Sequence, residues 1–560
     1  MKMRGIYSSV TDIRRKVFTE VARLAYEEGD YAEKIAELPY KIVPGSKAVY
    51  RESIFLERAI VEERLRLAIG LPLRPIEEHK SVADGIEESA IAEKYYDPPL
   101  VNIIKFACNG CPETHYHVTD CCQGCLAHPC QEVCPKGAIT IKHGKSVIDQ
   151  SKCIKCGRCQ SVCPYNAINK MERPCARACG MDAIGSDEEG KAKIDYDKCV
   201  SCGMCLVNCP FGAIVDKGQI FQLITAMKKK KKVIAIVAPA FVGQFGPKAS
   251  PEKLTAAMKK LGFADVVEVA IGADLCSIEE AKDFMREVPE HQPFMATSCC
   301  PAWIKYAENE YPEILPNIST CRSPMQMFAS VINEKFKGEG KKILSVAVMP
   351  CTAKKGEAAR DEFKDENGKP LVDFVITTQE LIMMIKEAGI VFNEIEPEAV
   401  DMPFGTMTGA GVIFGVTGGV TEAVIRRVST DKSLASLRNL AFEGVRGFEG
   451  IKELEVPLGD KAIKVCVVNG LRNVEVIMNR MKAGEHFDLI EVMACPNGCI
   501  GGAGQPKATI DEKKERSVNL YNADKLCTLK RSEENPLMDK LYEGILKGRE
   551  HELLHVSYVK

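Results

Sequence analysis

Several features that mark other protein classes are scarce or missing in this chain. One tryptophan occurs in 560 residues, and the formal net charge is only −2. No stretch of about 18 uncharged apolar residues occurs, so no membrane span is expected. The absence of an overall basic field makes nucleic acid an unexpected partner. The start, MKMRGIYSSVTDIRRKVF, has no apolar signal core, so we expect a cytoplasmic protein.

Cysteine is the residue in excess, with 26 copies. In a long chain without an export signal, such a count indicates metal binding rather than disulfides. Residues 1–100 contain no cysteine, and their apolar positions recur at helical spacing, which predicts a helical N-terminal region. Seventeen cysteines fall between Cys108 and Cys209. Because short turns, Pro and Gly separate them, we expect metal clusters to hold this segment together.

Two cysteine runs have the spacing of bacterial ferredoxins, and each is followed by proline. In such pairs, three thiolates of one run bind one [4Fe–4S] cube and the fourth binds the other cube. The two runs are Cys153, Cys156, Cys159 and Cys163, and Cys199, Cys202, Cys205 and Cys209.

A looser run and two short pairs extend this segment. They are Cys122, Cys125, Cys130 and Cys134; Cys175 and Cys179; and Cys108 and Cys111. With Cys121 as a spare, the thiols suffice for four cubes, so we expect two to four accessory [4Fe–4S] clusters and at least three. Zinc held by Cys108 and Cys111 with His115 or His117 is an alternative for that pair.

The pairing of the runs stays open at this stage. In the ferredoxin-like pairing, Cys209 completes the set of Cys153, Cys156 and Cys159, and Cys163 completes the set of Cys199, Cys202 and Cys205. In the alternative pairing, Cys134 and Cys163 cross between the looser run and the run that begins at Cys153.

The pattern of apolar and polar residues changes from Val233 onward. Apolar runs such as VIAIVAPA, ILSVAVMPC and DLIEVMAC alternate with helical segments, which is typical of an α/β domain with mainly parallel sheets. Cys276, Cys321, Cys466 and Cys527 stand singly, and we interpret them as structural. The other cysteines lie in TSCCPAW, MPCTAKKGE and EVMACPNGCIGGAGQP, each after an apolar run. Since ligands gather at the carboxyl ends of parallel strands, we expect these three loops to form one pocket.

These three loops resemble the signature loops of the [FeFe]-hydrogenases. FGVTGGVTEA, VRGFEGIKE and GREHELLH match that family too, and the resemblance extends from Cys153 to the C-terminus. It implies the reversible reaction 2H⁺ + 2e⁻ ⇌ H₂ at an H-cluster, a [4Fe–4S] cube joined to a two-iron subcluster with CO, cyanide and an azadithiolate bridge. It also implies maturation machinery and a ferredoxin or similar small electron carrier.

The resemblance implies a role for particular residues. Cys300, Cys351, Cys495 and Cys499 correspond to the cube ligands, with Cys499 as the thiolate that bridges to the two-iron unit. Cys299 resembles the proton-relay thiol, and Glu280, Ser319 and Asp283 occupy the positions behind it. The residues that resemble the surroundings of the two-iron unit are Lys354, as the partner of a cyanide, and Met349, Met493, Pro239 and Ala240.

Some positions depart from the family pattern. Asp283 replaces a common Glu, and Glu287 falls near the usual exit arginine, which puts the outer half of the proton path in doubt. Ala240 replaces a frequent Ser, Met325 a Gln, and Ala302 and Ala503 replace Gly. These departures suggest a divergent subgroup, and the resemblance is to the monomeric type with ferredoxin-like accessory clusters. The spacing of Glu280 and Asp283 is also that of a plain polar helix face.

Four regions follow from this interpretation. We expect a helical region at 1–100, a ferredoxin-like α+β multi-cluster domain at 101–220, a two-lobed α/β catalytic domain at 221–506 and a small-subunit-like segment at 507–560. Two other functions compete with catalysis. A non-catalytic iron–sulfur protein of cluster assembly would lack the two-iron unit, and a hydrogen sensor would need an output domain, for which the tail after Pro506 is too short.

Overall fold

The chain folds into a helical N-terminal region, a cysteine-rich region of short elements and two sheet-containing lobes. The computed structural model describes residues 8–27, 29–229, 232–245, 250–338, 343–399, 407–433, 435–436, 444–458 and 461–559. Its strands are β1 Val101–Ile103, β2 His115–Val118, β3 Ile139–Lys142, β4 Lys145–Ile148, β5 Ile168–Met171, β6 Ile184–Ser186, β7 Ala192–Ile194, β8 Ile214–Asp216, β9 Val233–Val237, β10 Asp265–Glu268, β11 Met295–Ala296, β12 Leu344–Met349, β13 Phe374–Thr377, β14 Ile451–Leu458, β15 Lys461–Asn469 and β16 Leu489–Met493.

The α-helices range from single turns to 18 residues. They are α1 Ser9–Tyr26, α2 Tyr31–Ile42, α3 Ile54–Ala68, α4 Ile86–Ser89, α5 Pro129–Glu132, α6 Arg158–Ser161, α7 Pro174–Ala178, α8 Met204–Asn208, α9 Ile220–Lys228, α10 Pro251–Lys260, α11 Ala270–Glu287, α12 Pro301–Glu310, α13 Pro324–Gly338, α14 Ala353–Ala358, α15 Thr378–Glu387, α16 Gly409–Val412, α17 Gly419–Val428, α18 Leu471–Lys482, α19 Ile510–Leu526, α20 Pro536–Glu543 and α21 Glu550–Leu554. Within the described ranges, no helix combines the length and hydropathy that a bilayer crossing requires.

The N-terminal helices share a core with the first lobe, and the predicted helical region is confirmed. Ser8 and Asp30 cap α1 and α2 with their side-chain oxygens, which satisfies backbone N–H groups that a helix start leaves unpaired. Val21 and Leu24 of α1 belong to the same buried cluster as Val346 of β12. The N-terminal region therefore stabilises the lobe by burying apolar surface against it.

Short antiparallel pairs build the cysteine-rich region: β1 with β8, β2 with β5, β3 with β4 and β6 with β7. Tight turns dominate, and Gly124 shows why glycine is needed in one of them. It has a φ of +58°, and a Cβ at this position would lie 1.8 Å from the carbonyl oxygen of Gly144. Only glycine fits such a backbone conformation and approach.

The two lobes are each built on a four-stranded sheet, as the alternation of apolar runs and helices predicts. The first sheet has the order β10–β9–β12–β13, and all its pairs are parallel. The second has the order β11–β16–β15–β14, and only the edge strand β14 is antiparallel. Strands β9, β13 and β16 are buried along their full length, as parallel strands covered on both faces are.

Candidate active site and cysteine clusters

One cavity gathers the residues that follow the parallel strands of both sheets. The sequence-predicted residues that line it are Pro239, Ala240, Cys299, Cys300, Met349, Cys351, Lys354, Met493, Cys495 and Cys499. The three predicted loops thus lie together, at the carboxyl ends of β11, β12 and β16. Glu280, Ser319 and Asp283 lie outside this lining.

Local structure fixes three of the four thiols close to a strand end. Cys300 is the N-cap of α12, and its Sγ accepts a bond of 3.5 Å from the backbone N–H of Ala494 in the loop after β16. The single tryptophan, Trp303, anchors the same loop by donating from Nε1 to the carbonyl of Thr297 at 3.1 Å. Cys351 and Cys495 each stand two residues beyond a strand.

The thiol set fits an iron–sulfur group. Burial, together with the neighbouring thiols, raises the pKa of Cys351 to about 11 and that of Cys495 well above the ordinary thiol value. Four crowded thiolates in an apolar cavity would repel one another unless a cation neutralised them. All 26 cysteines are free. Thiolate donors in an apolar cavity are what a cysteine-ligated iron cluster uses.

Lys354 places a positive charge beside these thiols. Its Nζ lies 2.7 Å from Oε2 of Glu357 and 3.3 Å from the carbonyl oxygen of Cys299. Burial opposes the charged form, but the ion pair with Glu357 outweighs burial and raises the pKa of Lys354. The side chain is therefore a permanent ammonium that an anionic ligand in the cavity can use.

Glu280 lies behind Cys299 on the buried face of α11. Its Oε1 accepts a 3.3 Å hydrogen bond from the backbone N–H of Ser298, while Oε2 has no hydrogen-bond partner among the described residues. Burial raises the pKa of Glu280 to about 8, and the neighbouring hydroxyl of Ser319 opposes that rise. This carboxyl can therefore gain and lose a proton near neutral pH, as a relay group must.

The outer residues differ from the sequence expectation in one respect. Asp283 lies 3.4 Å from the hydroxyl of Thr320, next to Ser319, and its Oδ1 pairs with Arg286 at 2.7 Å. Glu287, at the position of the usual exit arginine, instead accepts from Nε of Arg286 at 2.6 Å. Arg286 therefore pairs with Asp283 and stands one residue before the position at which the family has its exit arginine. The i, i+3 spacing of Asp283 and Arg286 was the sequence signal for it.

Two smaller cavities in the cysteine-rich region are each lined by four cysteines. One set is Cys134, Cys153, Cys156 and Cys159. The other is Cys108, Cys111, Cys175 and Cys209. The ferredoxin-like pairing, with Cys209 in the set of Cys153, is therefore wrong, because the extra short elements carry Cys209 to the 108–111 segment. The alternative pairing, in which Cys134 crosses to the run that begins at Cys153, agrees with the structure.

Zinc at Cys108 and Cys111 with a histidine has no support in this arrangement. Cys175 and Cys209 complete the lining of that cavity, and neither His115 nor His117 belongs to it. His115 Nδ1 instead bonds the carbonyl of Glu113 at 2.8 Å. Four thiols in one cavity favour an iron–sulfur cube over a mixed Cys–His zinc site.

The remaining cluster cysteines fall into two further neighbourhoods. Cys179 lies close enough to Cys199, Cys202 and Cys205 to raise the pKa of each thiol further above the effect of burial. Cys122 and Cys130 both contact Ser146, and Cys163 packs in the same small core as Cys130. Cys202 also lines the large cavity, so one neighbourhood directly adjoins the site between the lobes.

Known protein families match most of the chain. The iron only hydrogenase large subunit, C-terminal domain, matches residues 231–503, and the iron hydrogenase small subunit matches residues 510–560. Two 4Fe-4S binding domains match residues 146–169 and 191–214.

Individual relatives point to the same family. Iron hydrogenase 1 of Clostridium pasteurianum is 37% identical over 438 residues, which are 74% of this chain and 75% of the relative. A solved [FeFe]-hydrogenase is 34% identical with a TM-score of 0.51, covering 59% of this chain and 94% of that one. Cytosolic iron-sulfur assembly component 3 of Bos taurus is 31% identical over 60% of this chain and 75% of its own. The chain belongs to the iron-only, or [FeFe], hydrogenases, which form and oxidise hydrogen at an H-cluster, and it carries accessory [4Fe–4S] clusters.

Proposed function

We propose that Cys300, Cys351, Cys495 and Cys499 hold the H-cluster, with Cys499 as the bridging thiolate. The observation that carries this proposal is that four thiols from remote loops line one apolar cavity. When bound, the group supplies the iron site at which two protons and two electrons combine into H₂. The protein orients the group through these four sulfurs.

The rest of the lining keeps water out and balances charge. Met349, Met493, Pro239 and Ala240 surround the cavity with apolar atoms, so charges inside interact more strongly than they would in water. The ammonium of Lys354, fixed by Glu357, is positioned to donate to an anionic ligand such as cyanide.

Protons travel along the buried face of α11. Cys299 hands a proton to or from Glu280, whose free Oε2 and pKa of about 8 suit it to both directions. Ser319 and Asp283 continue the path, and Asp283 reaches the surface through its pair with Arg286, whose side chain is 64% exposed. The shorter reach of Asp283 is thereby offset by an arginine on the next turn of the helix.

Four sets of thiols would hold accessory cubes, which would supply electron transfer to the cavity. The innermost is held by Cys179, Cys199, Cys202 and Cys205, next to the cavity between the lobes. The next would be held by Cys108, Cys111, Cys175 and Cys209, because Cys175 lies close enough to Cys205 to raise the pKa of that thiol. The outer pair is held by Cys134, Cys153, Cys156 and Cys159, and by Cys122, Cys125, Cys130 and Cys163.

The outer end of this relay suits an acidic electron carrier. Residues 119–165 expose six basic side chains and three acidic ones, and such an excess attracts a partner of opposite charge. A ferredoxin in the cytoplasm is the partner that we propose. Dedicated maturation machinery would supply the two-iron unit.

The relationship to cluster-assembly proteins makes a second function worth testing. An assembly factor would need no proton path, whereas this chain has a relay thiol, a titratable buried carboxyl and Lys354 around its cavity. A dedicated hydrogen sensor would turn over very slowly.

Hydrogen formation by maturated protein with reduced viologen separates these functions. The proposal predicts rapid turnover that Cys299→Ala reduces by roughly 10²-fold or more, the scale of a lost proton relay. Cys466→Ala, a buried thiol in β15 outside the cavity, controls for the loss of a core cysteine. Full turnover by Cys299→Ala would show that Cys299 is not the proton relay. No turnover by the parent protein would favour a function in cluster assembly.

A further inference from the structure

A second set of metal-ligating side chains lies at the outer flank of α11, away from the cysteine clusters. The donor atoms of Asp283, Cys321 and His555 all lie within 4.8 Å of one another, and all three residues are buried. Cys321 and His555 come together because they pair as an isolated antiparallel bridge, which docks the C-terminal tail onto the segment after Ser319.

The separations are a few tenths of an ångström wider than those around a tetrahedral ion. Oδ2 of Asp283 lies 3.6 Å from Nδ1 of His555 and 4.0 Å from Sγ of Cys321. Bonds of about 2.0 Å to oxygen or nitrogen and 2.3 Å to sulfur place the donors of such a set roughly 3.3–3.5 Å apart around a tetrahedral ion. Small side-chain shifts therefore suffice to close the three donors around one Zn²⁺.

The surroundings already hold the donors in the orientation that a metal needs. Nε2 of His555 lies 3.3 Å from Oε2 of Glu279, and a carboxylate on the far ring nitrogen is the usual partner of a metal-binding histidine. Glu279 is itself held by Lys282 at 2.7 Å and by the hydroxyl of Tyr542. Histidine Nδ1 is therefore the nitrogen that faces Asp283.

The two carboxylate oxygens of Asp283 have different partners. Oδ1 accepts from Arg286, which leaves Oδ2 towards His555 and Cys321. The hydroxyl of Thr320 lies 2.9 Å from Nδ1 of His555 and 3.4 Å from Oδ2 of Asp283, so a neutral oxygen donor stands beside the other three. His551, which is exposed, stacks on His555 with ring centroids 5.2 Å apart, so the set lies just beneath the surface.

We propose that Asp283, Cys321 and His555 form a Zn²⁺ site, with Glu279 as the positioning residue for His555, and that zinc bound there inhibits hydrogen turnover. Binding displaces the thiol proton of Cys321 to solvent and transfers no electron. Zinc takes Oδ2 of Asp283 out of proton exchange and leaves the cavity between the lobes unchanged. The binding step stands on the geometry alone, whereas the inhibition rests on the proposed proton path.

Binding is tested on the anaerobic holoenzyme by equilibrium dialysis against Zn²⁺, with iron content measured alongside. We expect one zinc per chain that X-ray absorption at the zinc edge assigns to one sulfur at about 2.3 Å and nitrogen or oxygen donors at about 2.0 Å. Cys321→Ser and His555→Gln should lose this zinc, and Glu279→Gln should weaken it by roughly 10–100-fold. Cys466→Ser and His551→Gln are the matched controls and should bind as the parent does.

Zinc binding of equal strength in the parent, Cys321→Ser and His555→Gln would overturn the site and mark the metal as adventitious. Inhibition is measured separately, as viologen-driven hydrogen formation at one zinc per chain. We expect the parent to lose at least 10-fold in rate and to recover with a chelator, while His555→Gln keeps its own zinc-free rate. Zinc bound at this site without inhibition would overturn the blocked path and leave the metal site standing.

Discussion

The hydroxyl of Thr352 donates a 2.6 Å hydrogen bond to the carbonyl oxygen of Ser201. This bond joins the turn that carries Cys351 to the loop that carries Cys199 and Cys202. The two loops come from different regions of the chain, yet Gly203 is so close to Thr352 that a Cβ there would lie 2.6 Å from the threonine hydroxyl. The loop of Cys199 and Cys202, which we propose to hold the innermost cube, thus packs directly on the wall of the cavity between the lobes.

Cys202→Ser should therefore separate electron delivery from the chemistry at the cavity. Loss of one ligand of the innermost cube should reduce viologen- or ferredoxin-driven hydrogen formation by at least 10-fold, because electrons no longer reach the site. Exchange between H₂ and D₂O needs no electron from outside and should persist. Cys121→Ser, at an exposed thiol, is the control, and equal loss of both reactions in Cys202→Ser would contradict a pure electron-relay role.

Glu280→Gln should slow turnover by roughly 10²–10⁴-fold, the range for a lost acid–base group. Glutamine keeps an acceptor for the N–H of Ser298 but cannot exchange protons. Glu268→Gln provides a control, because Glu268 is also buried with a pKa raised to about 8 but lies at the end of β10 and not on α11. Rates are measured with reduced viologen across pH, and an unchanged rate in Glu280→Gln would exclude this carboxyl from the path.

Sequence patterns predict those parts of the fold that depend on local residue order, such as apolar strands and the loops at their ends. The apolar runs predicted both parallel sheets, and the strand-end position of TSCCPAW, MPCTAKKGE and EVMACPNGCIGGAGQP predicted that their cysteines would meet. The edge strand β14 alternates buried and exposed residues, as a half-covered strand does.

The sequence could not resolve contacts that depend on tertiary folding. Both ferredoxin-like runs have the same spacing, so the pairing of Cys134 and Cys209 depends on how the short hairpins pack. His555 lies 234 residues after Cys321 in the chain, and only the docking of the C-terminal tail brings the two together. The family pattern places the exit arginine at the position of Glu287. The spacing from Asp283 indicates Arg286 instead, so the family pattern alone misses it.

Arg286→Gln should slow turnover several-fold, whereas Glu287→Gln should leave the rate close to that of the parent. The guanidinium contacts Oδ1 of Asp283 directly, while Glu287 only contacts Arg286. The pair of neighbours on α11 makes a matched comparison by viologen assay. A rate loss confined to Glu287→Gln would show that the outer proton path runs through Glu287 and not through Arg286.

Glu268 should make the stability of the chain fall as pH rises. Burial raises its folded-state pKa to about 8 from an ordinary value of 4.5, so between these values the folded state keeps a proton that the unfolded state loses. The stability that protonated Glu268 contributes to the folded state is fully present below pH 4.5 and is lost as the pH rises through 8. Glu268→Gln should remove this loss, which is on the order of a few kcal/mol.

The measurement for Glu268 is thermal unfolding of parent and Glu268→Gln between pH 5 and pH 9. The variant should gain on the parent as the pH rises towards 8 and should keep that gain at pH 9. Two melting curves that shift in parallel with pH would show that Glu268 does not titrate as burial predicts.

Iron-edge anomalous diffraction from crystals of the maturated protein tests the central claim most directly. The account predicts an iron cube whose atoms lie within bonding distance of the sulfurs of Cys300, Cys351, Cys495 and Cys499, with two more irons beside Cys499 and none on Cys299. Iron density that is absent from this cavity, or that bonds Cys299 in place of Cys300, would contradict it.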